Sequence, residues 1–108
     1  MANVVELNDL NFDKEVKESK LPVLVDFYAT WCGPCRKQIP VISNIAEKYS
    51  GKVKVGKINV ETGQLKSMEY GISSIPALMV FKNGKVVEAV SGLHSENELA
   101  MLLQKHTS

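Results

Sequence analysis

Apolar positions along this chain switch repeatedly between a spacing of two and a spacing of three to four. Asn3 to Leu7 alternates as a short strand. Asp9 to Ser19 reads as a helix, with Asn8 or Asp9 as its N-cap and Leu10, Phe12 and Val16 near helical spacing. Leu21-Pro22 closes it, because a proline pushes the residue before it out of the helical region. Val23 to Ala29 is the strongest strand, apolar on both alternating faces apart from Asp26, the pattern of a central strand covered by helices on both sides. A turn follows over residues 30–34. Pro34 to Tyr49 then forms a helix with Cys35, Ile39, Ile42, Ala46 and Tyr49 along one face. Pro40 lies inside it, removes one backbone donor and predicts a kink.

Lys52 to Ile58 is β-branched at alternate positions and reads as a second internal strand. Thr62 to Tyr70 predicts a short helix that buries Leu65 and Met68 and stops at Gly71. Two strands, Ala77 to Phe81 and Lys85 to Val90, flank Asn83-Gly84, a pair that favours a type I′ hairpin turn. Ser95 and Glu98 have capping-box spacing ahead of Leu99, Leu102 and Leu103, which share one face of a last helix. The order βαβαβαββα predicts an α/β fold, a mixed sheet of about five strands flanked by four helices. No internal repeat, linker or low-complexity stretch interrupts it.

At 108 residues and 11.9 kDa the chain reads as a single domain over residues 1–108. Its 44% apolar and 23% charged residues are ordinary for a globular protein. The longest apolar runs fall far below the ~18 residues that cross a bilayer, and the first residues carry no basic flank or apolar run of a secretory signal. Thirteen basic against twelve acidic side chains give a net charge of +1 with the signs mixed, which argues against nucleic-acid binding. The expectation is a small, soluble, cytoplasmic domain, and nothing calls for more than a monomer.

Both cysteines fall within Cys32-Gly33-Pro34-Cys35, between the central strand and a helix. This spacing suits either a reversible disulfide or two ligands of one metal ion. Zinc needs two further ligands, and His94 and His106 lack the usual spacing for a second half-site. Asp26 admits two readings as well: a desolvated carboxyl group with a raised pKa, or a carboxylate exposed at a strand end. Lys57, taken by itself, reads as a solvent-facing strand lysine.

Trp31-Cys32-Gly33-Pro34-Cys35 after Val25-Asp26-Phe27-Tyr28-Ala29-Thr30 resembles the active site of the thioredoxin family. Cys-X-X-Cys beside a βαβ pattern is an established signature of such proteins. The resemblance covers essentially the whole chain, through Pro40, Lys57-Ile58-Asn59, Tyr70-Gly71-Ile72, Ser74-Ile75-Pro76, Phe81-Lys82-Asn83-Gly84 and Gly92. Departures are Tyr28 for a frequent Trp, Ala77 for a frequent Thr, Glu61 where Asp is common, and Ser73-Ser74 in a variable stretch.

The resemblance implies a thioredoxin fold and a division of labour. Cys32 is the nucleophile at a helix N-terminus, where free amides and the helix dipole favour a thiolate. Lowering a thiol pKa from ~8.5 to ~7 raises the thiolate fraction roughly 16-fold but costs about 5-fold in nucleophilicity, so ionisation alone gains only about 3-fold. Positioning and leaving-group quality matter more. Cys35 is the resolving thiol. Asp26 carries its proton, and Lys57 is the partner of Asp26. Gly33 and Pro34 tune the redox balance, with Arg36 adding a nearby cation. Pro76 follows a cis bond, and Trp31, Ile75, Pro76, Gly92 and Leu93 join Gly33 and Pro34 in a flat, mostly apolar face that receives an extended substrate segment by strand addition. His94 and His106 receive no functional role, although His106 suits the dipole of a helix C-terminus.

The implied activity is reduction of protein disulfides, with no bound cofactor and no metal. Electrons come from a thioredoxin reductase that uses NADPH and pass to disulfide-containing proteins. The competing readings are an oxidase or isomerase of the same fold, a redox-independent binding subunit, and a metal module.

Overall fold

The computed structural model describes residues 4–107. Five strands, β1 (Val4–Leu7), β2 (Val23–Tyr28), β3 (Lys54–Asn59), β4 (Ala77–Lys82) and β5 (Lys85–Ser91), form one sheet in the order β1-β3-β2-β4-β5. β1, β3 and β2 pair in parallel, β4 pairs antiparallel with β2 and β5 antiparallel with β4, so the sheet is mixed. Asn3, expected to open the first strand, lies outside the described residues. Among the described residues three α-helices accompany the sheet, α1 (Gly33–Lys48), α2 (Gln64–Glu69) and α3 (Glu96–Gln104), together with a π-helix over Asp13–Lys17.

All six residues of β2 are buried, as a central strand sandwiched between helices requires. On its even-numbered face Leu24 enters one core, where Val55, Leu78 and Val80 meet Ile42 and Ile45 of α1 and Leu99 and Leu103 of α3, while Tyr28 packs with the cysteines. Its odd-numbered side chains enter the other, where Val23, Val25 and Phe27 join Ile58, Phe12, Val16 and Phe81. Phe12, Tyr70 and Phe81 close that side as an aromatic cluster, with ring centroids 5.2 to 5.6 Å apart. The hairpin turns at Asn83 and Gly84, whose φ of 54° and 80° are the left-handed pair a type I′ turn requires. The capping box at Ser95 and Glu98 is complete, with both reciprocal hydrogen bonds made.

Three expectations are corrected. The first helix is not an α-helix over residues 9–19. Asn8 Oδ1 takes the amides of Leu10 and Asn11, and the chain then widens until the Glu18 amide donates to the Asp13 carbonyl five residues back. Phe12 and Val16 remain buried, while Leu10 is 95% exposed. On α1 the buried polar position is Gln38, with Ile39 only half-buried, and Pro40 lies inside the helix.

The third correction concerns α2, where Leu65 and Met68 face solvent at 70% and 79% exposure and Ser67 points inward. Long-range contacts set this rotation. Asp9, far away in sequence, accepts the amides of Leu65 and Lys66 at 3.3 and 3.0 Å and so caps the helix from outside. Gly63 packs so closely on Ile58 that a Cβ there would lie 2.5 Å from its Cδ1. Asp9→Ala is expected to lower stability by about 1 kcal/mol, a typical loss for a cap, read as a lower urea midpoint at unchanged slope.

Candidate active site

The last residues of β2 deliver the chain to the N-terminus of α1. Cys32 is the N-cap of that helix in extended conformation (φ −88°, ψ 116°), and its Sγ accepts the Cys35 amide at 3.2 Å. Gly33 and Pro34 fill the first turn, where the amide that proline lacks has no intrahelical partner in any case. Cys32 and Cys35 are joined by a disulfide with Cα atoms 5.2 Å apart. Cys35 is fully buried and Cys32 is 6% exposed, packed with Tyr28 and Ala29 and against Val60 and Ile75.

Two distant segments reach this pair. The Ile75–Pro76 peptide bond is cis, as the resemblance implies, and the Ile75 carbonyl oxygen lies 4.0 Å from Cys32 Sγ. The Pro76 carbonyl accepts the amide of Gly92 at 2.7 Å, which brings in the loop after β5. Gly92 adopts φ +85°, a conformation that a side chain would strain. Cys32, Cys35, Ile75, Pro76 and Gly92 are thus linked by contacts. Trp31, at 65% exposure, and Leu93 flank them as exposed apolar side chains, with Gly33 and Pro34 also open to solvent. Arg36 is exposed on α1.

Asp26 is completely buried, and neither of its carboxylate oxygens has a hydrogen-bond partner among the described residues. Burial pushes its pKa up to about 7, and the charge of Lys57 opposes only part of that rise. Lys57 is the direct neighbour of Asp26 across β2 and β3, and equally of Glu6 across β1 and β3. Its ammonium ion pairs with Glu6 at 3.8 Å and sits 5.4 Å from the centre of the Tyr28 ring. Tyr28 in turn donates its hydroxyl to Glu6 Oε2 at 2.9 Å. The ion-pair partner of Lys57 is therefore Glu6, on the wet side, because a charged Asp26 would have to be held where water does not reach.

Sequence reasoning missed Glu6 and Gln38. The first needed the strand order, which sets β1 beside β3. Gln38 joins α1 to the loop before α3: its Oε1 accepts the His94 amide at 2.9 Å and its Nε2 donates to the His94 carbonyl at 3.0 Å. His94 Nδ1 lies 2.9 Å from the Gly92 carbonyl, and His106 pairs with Glu88 at 2.8 Å. Among the described residues no three of His, Cys, Asp or Glu converge as metal ligands would.

A disulfide that caps a helix N-terminus, with its second sulfur buried beneath the first, defines a centre for thiol–disulfide exchange. Residues 3–105 match the thioredoxin family model. The chain is 45% identical to thioredoxin 1 of Nostoc sp. over 106 residues, spanning 98% of this chain and 99% of the relative. It is 49% identical to thioredoxin of Rickettsia felis over 105 residues, 97% and 98% of the two chains, and 40% identical to thioredoxin of Haemophilus influenzae over 106 residues, 98% and 99%. The chain belongs to the thioredoxin family. It is a thiol–disulfide oxidoreductase that works through the Cys32–Cys35 pair.

Proposed function

We propose that this single domain reduces disulfides in other proteins, with Cys32 attacking and Cys35 resolving. In the dithiol form the Cys32 thiolate, held at the amide end of α1, attacks one sulfur of the substrate disulfide. One substrate sulfur leaves as a thiolate and a mixed disulfide joins Cys32 to the other. Asp26 takes the proton of Cys35, whose thiolate attacks Cys32 Sγ and releases the second substrate sulfur. The substrate has gained two electrons, and the Cys32–Cys35 disulfide described above has formed. The observation that carries this reading is the asymmetry of the pair, one sulfur at the helix cap beside the Ile75 carbonyl and the other wholly buried.

The exposed apolar residues Trp31 and Leu93, with Gly33, Pro34 and the Ile75-Pro76 backbone, form the docking face, and the Ile75 carbonyl beside Cys32 suits pairing with an extended segment. Gly33 and Pro34 set the redox balance of the ring they close. Lys57 acts on Asp26 through charge rather than through a hydrogen bond. The protein works as a monomer in the cytoplasm, takes its electrons from a thioredoxin reductase and ultimately NADPH, and needs no bound cofactor. No helix among the described residues is long and apolar enough to cross a membrane.

Equilibration of the couple in redox buffers tests the direction. The expected potential is about −270 mV, the value established for thioredoxin itself. A value near about −180 mV would place it with the isomerases, and since 30 mV corresponds to ~1.4 kcal/mol the two outcomes are well separated.

A further inference from the structure

We infer that Gln38 is a positioning residue for protein substrates, holding Leu93 of the docking face at a fixed place relative to Cys32. The inference rests on the docking face proposed above. Gln38 has no exposed surface, and a primary amide in such a place must be hydrogen-bonded. Both ends of that amide are spent on one residue, His94, through its N–H and its carbonyl. The side chain thereby imitates a neighbouring strand. Gln38 follows Cys35 by one helical turn, so the loop is tied to the helix that begins at the two cysteines. On the other side of Leu93, the Gly92 amide is tied to Pro76. Leu93 is the one residue between these pins, and its side chain is 49% exposed. A loop pinned on both sides presents that side chain without having to be ordered when a substrate arrives.

A small disulfide needs only the sulfurs, whereas a protein substrate also needs the face around them. Single-turnover reaction of the pre-reduced protein with insulin and with hydroxyethyl disulfide separates the two demands. Gln38→Met keeps the bulk and loses both bonds. It is expected to slow the insulin reaction about tenfold more than the hydroxyethyl disulfide reaction, through weaker substrate binding. An equal slowing of both would show only a disturbed helix and overturn the inference.

Leu93→Glu separates failure of the inference from failure of the docking face. If it slows insulin selectively and Gln38→Met does not, the face stands and the role of Gln38 falls. If neither is selective, the docking-face reading falls as well. Should Gln38→Met not fold, Gln38→Glu retains an acceptor for the His94 amide and regains a donor when protonated. Its insulin selectivity is then expected to approach the wild-type value as the carboxyl takes up its proton, and a selectivity that stays impaired with the carboxyl protonated would overturn the inference.

Discussion

Cys32→Ser is expected to lower reduction of a protein disulfide by at least about 10³-fold, because a hydroxyl at that position neither ionises near neutral pH nor forms a mixed disulfide. The loss should be specific to chemistry. Cys32 contributes a small buried volume and one accepted hydrogen bond from the Cys35 amide, and a serine oxygen can take that bond. Thermal unfolding of the variant, compared with the reduced wild type, therefore checks that the fold is kept. Cys35→Ser separates the two sulfurs. Attack by Cys32 still proceeds, but no buried thiol remains to displace the product, so a covalent complex with the substrate accumulates. Mass spectrometry of the quenched reaction distinguishes the variants: no adduct for Cys32→Ser, a stable one-to-one adduct for Cys35→Ser. An adduct through position 35 in the first variant would reverse the assigned roles.

Asp26→Asn is expected to stabilise the fold by about 2 to 4 kcal/mol at pH 8 and by nearly nothing at pH 4. The folded carboxyl titrates near pH 7, against an ordinary value of 3.8 in the unfolded chain. Below 3.8 the group is protonated in both states and contributes no pH dependence. Between 3.8 and 7 the unfolded chain gives up its proton while the folded protein keeps it, so stability falls as pH rises. Above 7 both are ionised and the destabilisation is complete, with a ceiling of about 4 kcal/mol. Asparagine removes the charge and leaves a buried amide without partners, a cost that nearly matches that of the protonated carboxyl it replaces, so the difference between the two proteins grows only as Asp26 ionises. Urea unfolding of both proteins across this range measures the difference. A constant gap at all pH values would mean that the carboxyl does not titrate in the window its burial predicts. The same variant should slow resolution of the mixed disulfide near neutral pH.

Features legible in the sequence are those whose causes are local. The burial of β2, the turn at Asn83-Gly84 and the capping box of Ser95 with Glu98 each follow from a few adjacent residues. The cysteine pair does too, since two residues between sulfurs at a strand–helix junction suffice to suggest it. Leu65 and Met68 were misplaced because a short helix has too little periodicity to fix its own rotation, and Asp9 and Ile58 fix it instead. Leu10 failed for the same reason at the π-helix. Gln38 was invisible because a polar residue on a helix reads as solvent-facing unless its partner is known, and that partner is a loop backbone far along the chain. Lys57 shows the same limit at the site. Its spacing announced a strand lysine, but only the adjacency of β1 to β3 reveals that Glu6 competes for it.

That adjacency sets one cation between two anions on neighbouring strands, Glu6 within reach of water and Asp26 without it. With Asp26 protonated the row sums to zero; with Asp26 ionised it carries one uncompensated negative charge in the driest part of the sheet. Taking the proton of Cys35 therefore discharges the row, and electrostatic relief in the scaffold favours the same step that arms the second sulfur.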